Sequence, residues 1–114
     1  NGFSMQAKKE QARLQLRKTQ NETEALKIKI DGEVENSKNN FVASVAAMDF
    51  QKKNMTLAEK VYDQTKKKYE IGTGSAIEIN GAQVDLKAAQ TNYIGALFDA
   101  IIAKIDFLKA TGKL

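Results

Sequence analysis

The sequence predicts an all-α protein, a long antiparallel helical hairpin with coiled-coil-like packing. Three observations predict it. Proline is absent from all 114 residues, where average usage of about 5% would supply roughly six. Since proline removes a donor and clashes with the preceding turn, its absence suits long unbroken helices. Alanine recurs at every seventh position over the last third of the chain, at Ala82, Ala89, Ala96, Ala103 and Ala110. Lastly, turn-forming residues gather densely at one place only, the Gly72-Thr73-Gly74-Ser75 run.

Helix 1 is expected over about 3–70. One seam runs Met5, Ala12, Leu16, Thr19, Thr23, Leu26, Ile30, Val34, Ser37, Phe41, Val45, Met48, Met55, Tyr62 and Tyr69. Its steps of three, four or seven residues are those of a coiled-coil face. Asp31-Gly32 is a turn-type dipeptide, and glycine inside a helix costs about 1 kcal/mol relative to alanine. The apolar steps nevertheless continue in register from Ile30 to Val34 and Phe41, so the helix is read as continuous with a weak point there.

The tight turn is expected over 71–75. Lys66, Lys67 and Lys68 fall in the last turn of helix 1, where positive charge complements the helix dipole. Gly72 is placed to take a left-handed conformation just past the helix end. Ser75-Ala76-Ile77-Glu78 matches the capping box, with the Ser75 hydroxyl accepting from the Glu78 amide and the Glu78 carboxylate reaching back to the Ser75 amide. A linker this short makes the helices antiparallel. Beyond the turn's own needs, exposed Ile71 beside the small residues Gly72, Thr73 and Gly74 suits close approach of another backbone.

Helix 2 is expected over about 76–111, ending at Ala110-Thr111-Gly112. Ile79, Leu86, Tyr93, Ala100 and Phe107 alternate with the alanines to complete an a/d seam. Alanine at one seam position lets two backbones approach closely. A second stripe, Ile77, Val84, Phe98 and Ile105 with Ile94, Ile101 and Leu108 beside it, lies on a different face. A helix apolar on two faces needs partners on two sides, and a single hairpin supplies one. Helix 2 can also cover only about half of helix 1, leaving residues 3 to about 35 without an intrachain partner. The chain is therefore expected to associate with further helices, as part of a larger protein or as an oligomer. Its start at Asn1 suits an excised portion.

Composition excludes several chemistries. Without Cys or His there is no thiolate zinc site, disulfide, nucleophilic cysteine or imidazole catalysis. No metal site, cofactor or catalytic residue is expected, and the Gly-Thr-Gly-Ser run lacks the preceding strand and the lysine of a phosphate loop. No stretch of 18 apolar residues spans a membrane as a helix. The net charge of +4 is spread over lysines interleaved with Glu, Asp and Gln, a solvated face rather than a nucleic-acid surface.

The segment "KKYEIGTGSAIEINGAQVDLKAAQTNYIGALFDAIIAKIDFLKATGKL" resembles the C-terminal repeat of TolC-like outer membrane efflux proteins. Tyr69, Gly72-Thr73, the acidic Glu78, Ala82-Gln83, Ala89-Gln90, Asn92-Tyr93 and the Leu108–Leu114 ending carry the resemblance. The opening "NGFSMQAKKEQARLQLRKTQ" resembles the point where that family leaves its last β-strand for a long helix. The resemblance implies a homotrimeric parent in the outer membrane of a Gram-negative bacterium, with β-strands in a shared barrel and helical hairpins in a shared periplasmic tunnel. Residues 1–114 would be one such hairpin. Its tip, matched by Ile71, Gly72 and Thr73, would dock a periplasmic adaptor protein and, through it, an inner-membrane pump. Glu78 matches an acidic residue facing the pore constriction, and Tyr69 a tip tyrosine that holds the entrance closed. Gly81 stands where some members carry a second acidic residue, and Gly74 where some carry a basic one; a double acidic ring and a charge latch at 74 are therefore in doubt. The alternative is a self-contained coiled-coil module without channel activity.

Overall fold

The computed structural model describes residues 1–114. It contains two helices, α1 over Gly2–Glu70 and α2 over Ala76–Ala110, the expected boundaries to within a residue. Asn1 begins α1 as its cap: its side-chain Oδ1 accepts from the Ser4 amide at 2.9 Å and its carbonyl from the Met5 amide at 3.2 Å. α1 runs without a break through Asp31-Gly32. Around Gly32 an added Cβ would meet nothing within 4 Å, so its cost there is only the local flexibility of glycine.

The chain divides into two units, Asn1–Asn36 and Ser37–Leu114. In the first unit every residue is exposed except the half-buried Val34. Leu16, Leu26 and Ile30, three members of the expected seam, face solvent. The two threonines that dilute this stretch satisfy their hydroxyls on their own helix: Thr19 donates to the Gln15 carbonyl at 3.0 Å and Thr23 to the Thr19 carbonyl at 2.9 Å. The one ion pair in the chain, Arg13 to Glu10 at 3.9 Å, is exposed and contributes little.

The second unit is the hairpin. All ten α2 positions of the expected seam are withdrawn from solvent: Ala82, Ala100 and Ala103 are buried, and Ile79, Leu86, Ala89, Tyr93, Ala96, Phe107 and Ala110 are half-buried. From α1 come Phe41, Val45, Met48, Met55 and Tyr62, interleaved with Ser37, Ser44, Gln51, Ala58 and Thr65. The latter five supply the alternate heptad position. Of these only Ser37 stands in the expected seam; the other four escape a search for large apolar residues because they are small or polar. The rings of Phe41 and Phe107 lie 6.1 Å apart with their planes tilted by 30°, an aromatic contact toward the end away from the turn. Tyr69 departs from expectation. It is 47% exposed, since α1 ends one residue later and no seam remains to hold it.

The interior of this hairpin is thin. Its only buried side chains are three alanines, and a buried methyl contributes about 0.8 kcal/mol. Fixing each backbone residue costs about 1–2 kcal/mol. Seam burial alone therefore leaves the hairpin dependent on the surfaces it still exposes. Those surfaces are apolar. Ile77, Val84, Ile94, Phe98, Ile101 and Ile105 are all exposed. Given about 100° per residue, the Ile77–Val84–Phe98–Ile105 line lies on the side of α2 opposite its seam. A shorter line on α1, Ala43, Phe50 and Leu57, also recurs by sevens before the polar Gln64 interrupts it, and Phe50 and Leu57 are each 61% exposed. That second stripe was readable in the sequence from the same spacing that gives the first.

Candidate functional site

The turn between the helices is closed by a Schellman arrangement. The Thr73 amide donates to the Lys68 carbonyl at 2.9 Å, and the Gly72 amide to the Tyr69 carbonyl at 3.1 Å. These satisfy the last carbonyls of α1. The arrangement requires a left-handed residue, and Gly72 supplies it at φ +81°. The Lys68 carbonyl also accepts from the Gly74 amide at 3.0 Å and from the Thr73 hydroxyl at 3.2 Å. One carbonyl thus gathers the whole linker onto the end of α1. The same device ends α2, with Gly112 at φ +72° and the Lys113 amide donating to the Leu108 carbonyl at 2.8 Å.

The two tip glycines have different reasons to be glycine. At Gly72 an added Cβ meets nothing within 4 Å, so the constraint is backbone conformation alone. At Gly74 a Cβ would sit 3.1 Å from the Tyr69 nitrogen and 3.2 Å from the Lys68 Cβ. Its small size is used by its own chain, which packs the linker against α1, and is not left open to a partner. This corrects the reading of Gly74 as part of an open small-residue surface.

Ser75 is the N-cap of α2, in extended conformation at φ −104° and ψ 158°. Its Oγ accepts from the Glu78 amide at 3.2 Å. Only this half of the capping box forms. The Glu78 side chain is exposed and makes no return bond to the Ser75 amide. A carboxylate at an open tip keeps its hydration and its rotamer freedom, and one exposed bond gains too little to offset them. Ser75→Ala is expected to destabilise the start of α2 by about 1 kcal/mol, read as faster hydrogen exchange at the amides of residues 77–79 with unchanged exchange near Ala103.

What the tip offers to a partner is then specific. Ile71 is 75% exposed and Ile77 84% exposed, one on each side of the turn. Thr73 is exposed, but its hydroxyl proton is committed to the Lys68 carbonyl. Gly72 shapes the backbone. Tyr69 and Glu78 stand exposed on either side of the linker. Ile77 has a place at the tip that its assignment to the α2 stripe concealed; its position two residues past the cap was the available signal. No group of three acidic, histidine or cysteine side chains converges to hold a metal ion, and no helix is long and apolar enough to cross a membrane.

A family model described as outer membrane efflux protein matches residues 1–113. No curated protein and no solved structure matches the chain.

Proposed function

Because the chain belongs to the outer membrane efflux protein family, a family of transport channels rather than enzymes, we propose that it forms part of the wall of a periplasmic export tunnel, with its tip docking an adaptor. The observation that carries the proposal is the pair of apolar lines left exposed on α1 and α2 of a hairpin whose own seam is already filled. A helix apolar on opposite sides belongs in a row of helices. A row that closes on itself is a cylinder, and heterologous contacts close into rings when the rotation permits. In this proposal the parent assembles as a trimer in the outer membrane and the adaptor links it to an inner-membrane pump.

The tip is the docking element of the proposal. Ile71 supplies apolar surface, Gly72 the fixed backbone bend, and Thr73 a hydroxyl oxygen still able to accept. Ile77 extends the apolar surface on the far side of the turn. Tyr69 and Glu78 act as gate residues: both side chains are exposed at the tip, so the carboxylate is available to a pore and the ring to a neighbouring helix. A photo-crosslinking residue placed at Ile71 in the full-length protein is expected to capture the adaptor, while one at Lys104, far from the turn, is not. Equal yields at both positions would refute tip docking.

A further inference from the structure

Over most of the chain the cations are interleaved with carboxylates, but in the opening turns of α1 they are not. Residues 1–21 carry Lys8, Lys9, Arg13, Arg17 and Lys18 against a single carboxylate, Glu10. Glu10 is answered within that group, by Arg13 at 3.9 Å, and the other four cations have no ion-pair partner in the chain. The sign then reverses. Residues 22–36 hold Glu22, Glu24, Asp31, Glu33 and Glu35 against Lys27 and Lys29. Every residue from 1 to 21 is exposed. Phe3, at 86%, and Met5, at 72%, are the barest large apolar side chains of the first unit. Phe3 lines one shallow depression with Lys9, Glu10 and Arg13, so a ring, an ammonium and a guanidinium share one surface.

The arrangement of these cations selects their partner. At about 100° per residue, Lys9, Arg13 and Arg17 follow one flank of α1, and Lys18 falls nearly opposite Lys9. A helix lying flat on a bilayer separates a cationic face from an apolar one, and this one does not. A partner protein seated on one flank would leave the opposite cations unused. Cations on all sides suit a helix that meets a charged plane end-on, where every side is equally near the plane. The chain belongs to a family of outer membrane proteins, and none of its own helices is apolar enough to cross a bilayer. The order along the axis fits a bilayer surface as well. Phe3 precedes Lys8 by five residues, about 7.5 Å, so the ring reaches the acyl boundary when the lysines stand level with the phosphates. The long stems of lysine and arginine span the remaining distance. Glu22 lies about 21 Å beyond Lys8, more than two Debye lengths in physiological salt, so the acidic stretch does not cancel the attraction.

We propose that the opening turns of α1 form a collar for anionic phospholipid headgroups, with Lys8, Lys9 and Arg13 at the phosphates and Phe3 at the acyl boundary. Basic side chains beside a membrane concentrate anionic lipids electrostatically, over about a Debye length. The inference rests on family membership and on the first unit alone. It requires neither the docking tip nor the tunnel.

The test uses the full-length protein in phosphatidylcholine vesicles that contain a photoactivatable lipid, either phosphatidylglycerol or phosphatidylcholine with the same acyl chains. Labelled sites are located by mass spectrometry. The phosphatidylglycerol probe is expected to label residues 1–21 several-fold more than the phosphatidylcholine probe at low salt, and the two to converge in molar salt. Lys8→Gln with Lys9→Gln and Arg13→Gln is expected to abolish the preference, while Lys52→Gln with Lys53→Gln and Lys60→Gln in the second unit keeps it. Phe3→Ala is expected to lower labelling by both probes and leave their ratio unchanged. Each ratio compares two headgroups on one variant, so a difference in yield between variants does not disturb it. Equal labelling of the parent by the two probes, no labelling of residues 1–21 by either, or a preference that survives the triple substitution would overturn the collar. Adaptor capture at Ile71 is expected to be the same in all these variants, so failure of the collar and failure of tip docking are read separately.

Discussion

Ala103→Leu is expected to force the hairpin apart. Ala103 is the most deeply buried residue of the chain, at 3% exposure, and lies one heptad from Ala96 and Ala110 on the line where α2 approaches α1. Three added carbons must either spread the helices or crowd into the open groove that Ala103 lines with Asn40 and Ser44. Overpacking of this kind costs about 1–3 kcal/mol, and with so little other buried surface the hairpin has few contacts to compensate. The expected result is a clear fall in the unfolding midpoint of the assembled protein. Gln90→Leu, on an exposed position, serves as control and is expected to shift stability by less than about 0.5 kcal/mol. An Ala103→Leu protein as stable as the parent would mean that the alanine line is not a close-packed seam.

Gly72→Val is expected to damage both the turn and export. A left-handed backbone costs an L-residue about 1–2 kcal/mol, and a β-branched side chain is the worst case. Space is not the obstacle, since the site around Gly72 is open. Gly72→Asn, which tolerates that conformation better, should therefore recover most of the stability. The pair separates two roles. If the bend alone matters, asparagine restores export. If the partner's backbone must approach Gly72 closely, asparagine restores stability but not export. Full export by Gly72→Val, with adaptor crosslinking intact, would remove the tip from the docking account.

Much of this was legible in the residues. Gly72 and Ser75 announce their roles through local chemistry, a left-handed position and a cap, which depend on no distant contact. The α2 seam was legible because its heptad repeat is kept without a polar interruption. The α1 half of the seam was legible only at its large members. Ser44, Gln51, Ala58 and Thr65 are half-buried in it although small or polar, and only the packed hairpin shows that. The return arm of the capping box failed for a related reason: sequence gives the pairing of Ser75 with Glu78, but solvent exposure decides whether a carboxylate uses it. Tyr69 left the expected seam because a repeat cannot show where its partner helix stops. The exposed Phe50–Leu57 line was present in the spacing all along, and it becomes meaningful once the filled seam shows which faces remain.

The most direct test of the central claim is the fate of Phe98. It lies on the side of α2 opposite the seam and is 60% exposed in the single hairpin. A cysteine placed there in the otherwise intact, assembled protein should resist small thiol reagents and become reactive only when the assembly is dissociated, because another helix covers it. Rapid modification in the assembled protein, at the rate of the dissociated one, would show that face bare and would contradict the reading of this hairpin as one segment of a closed wall.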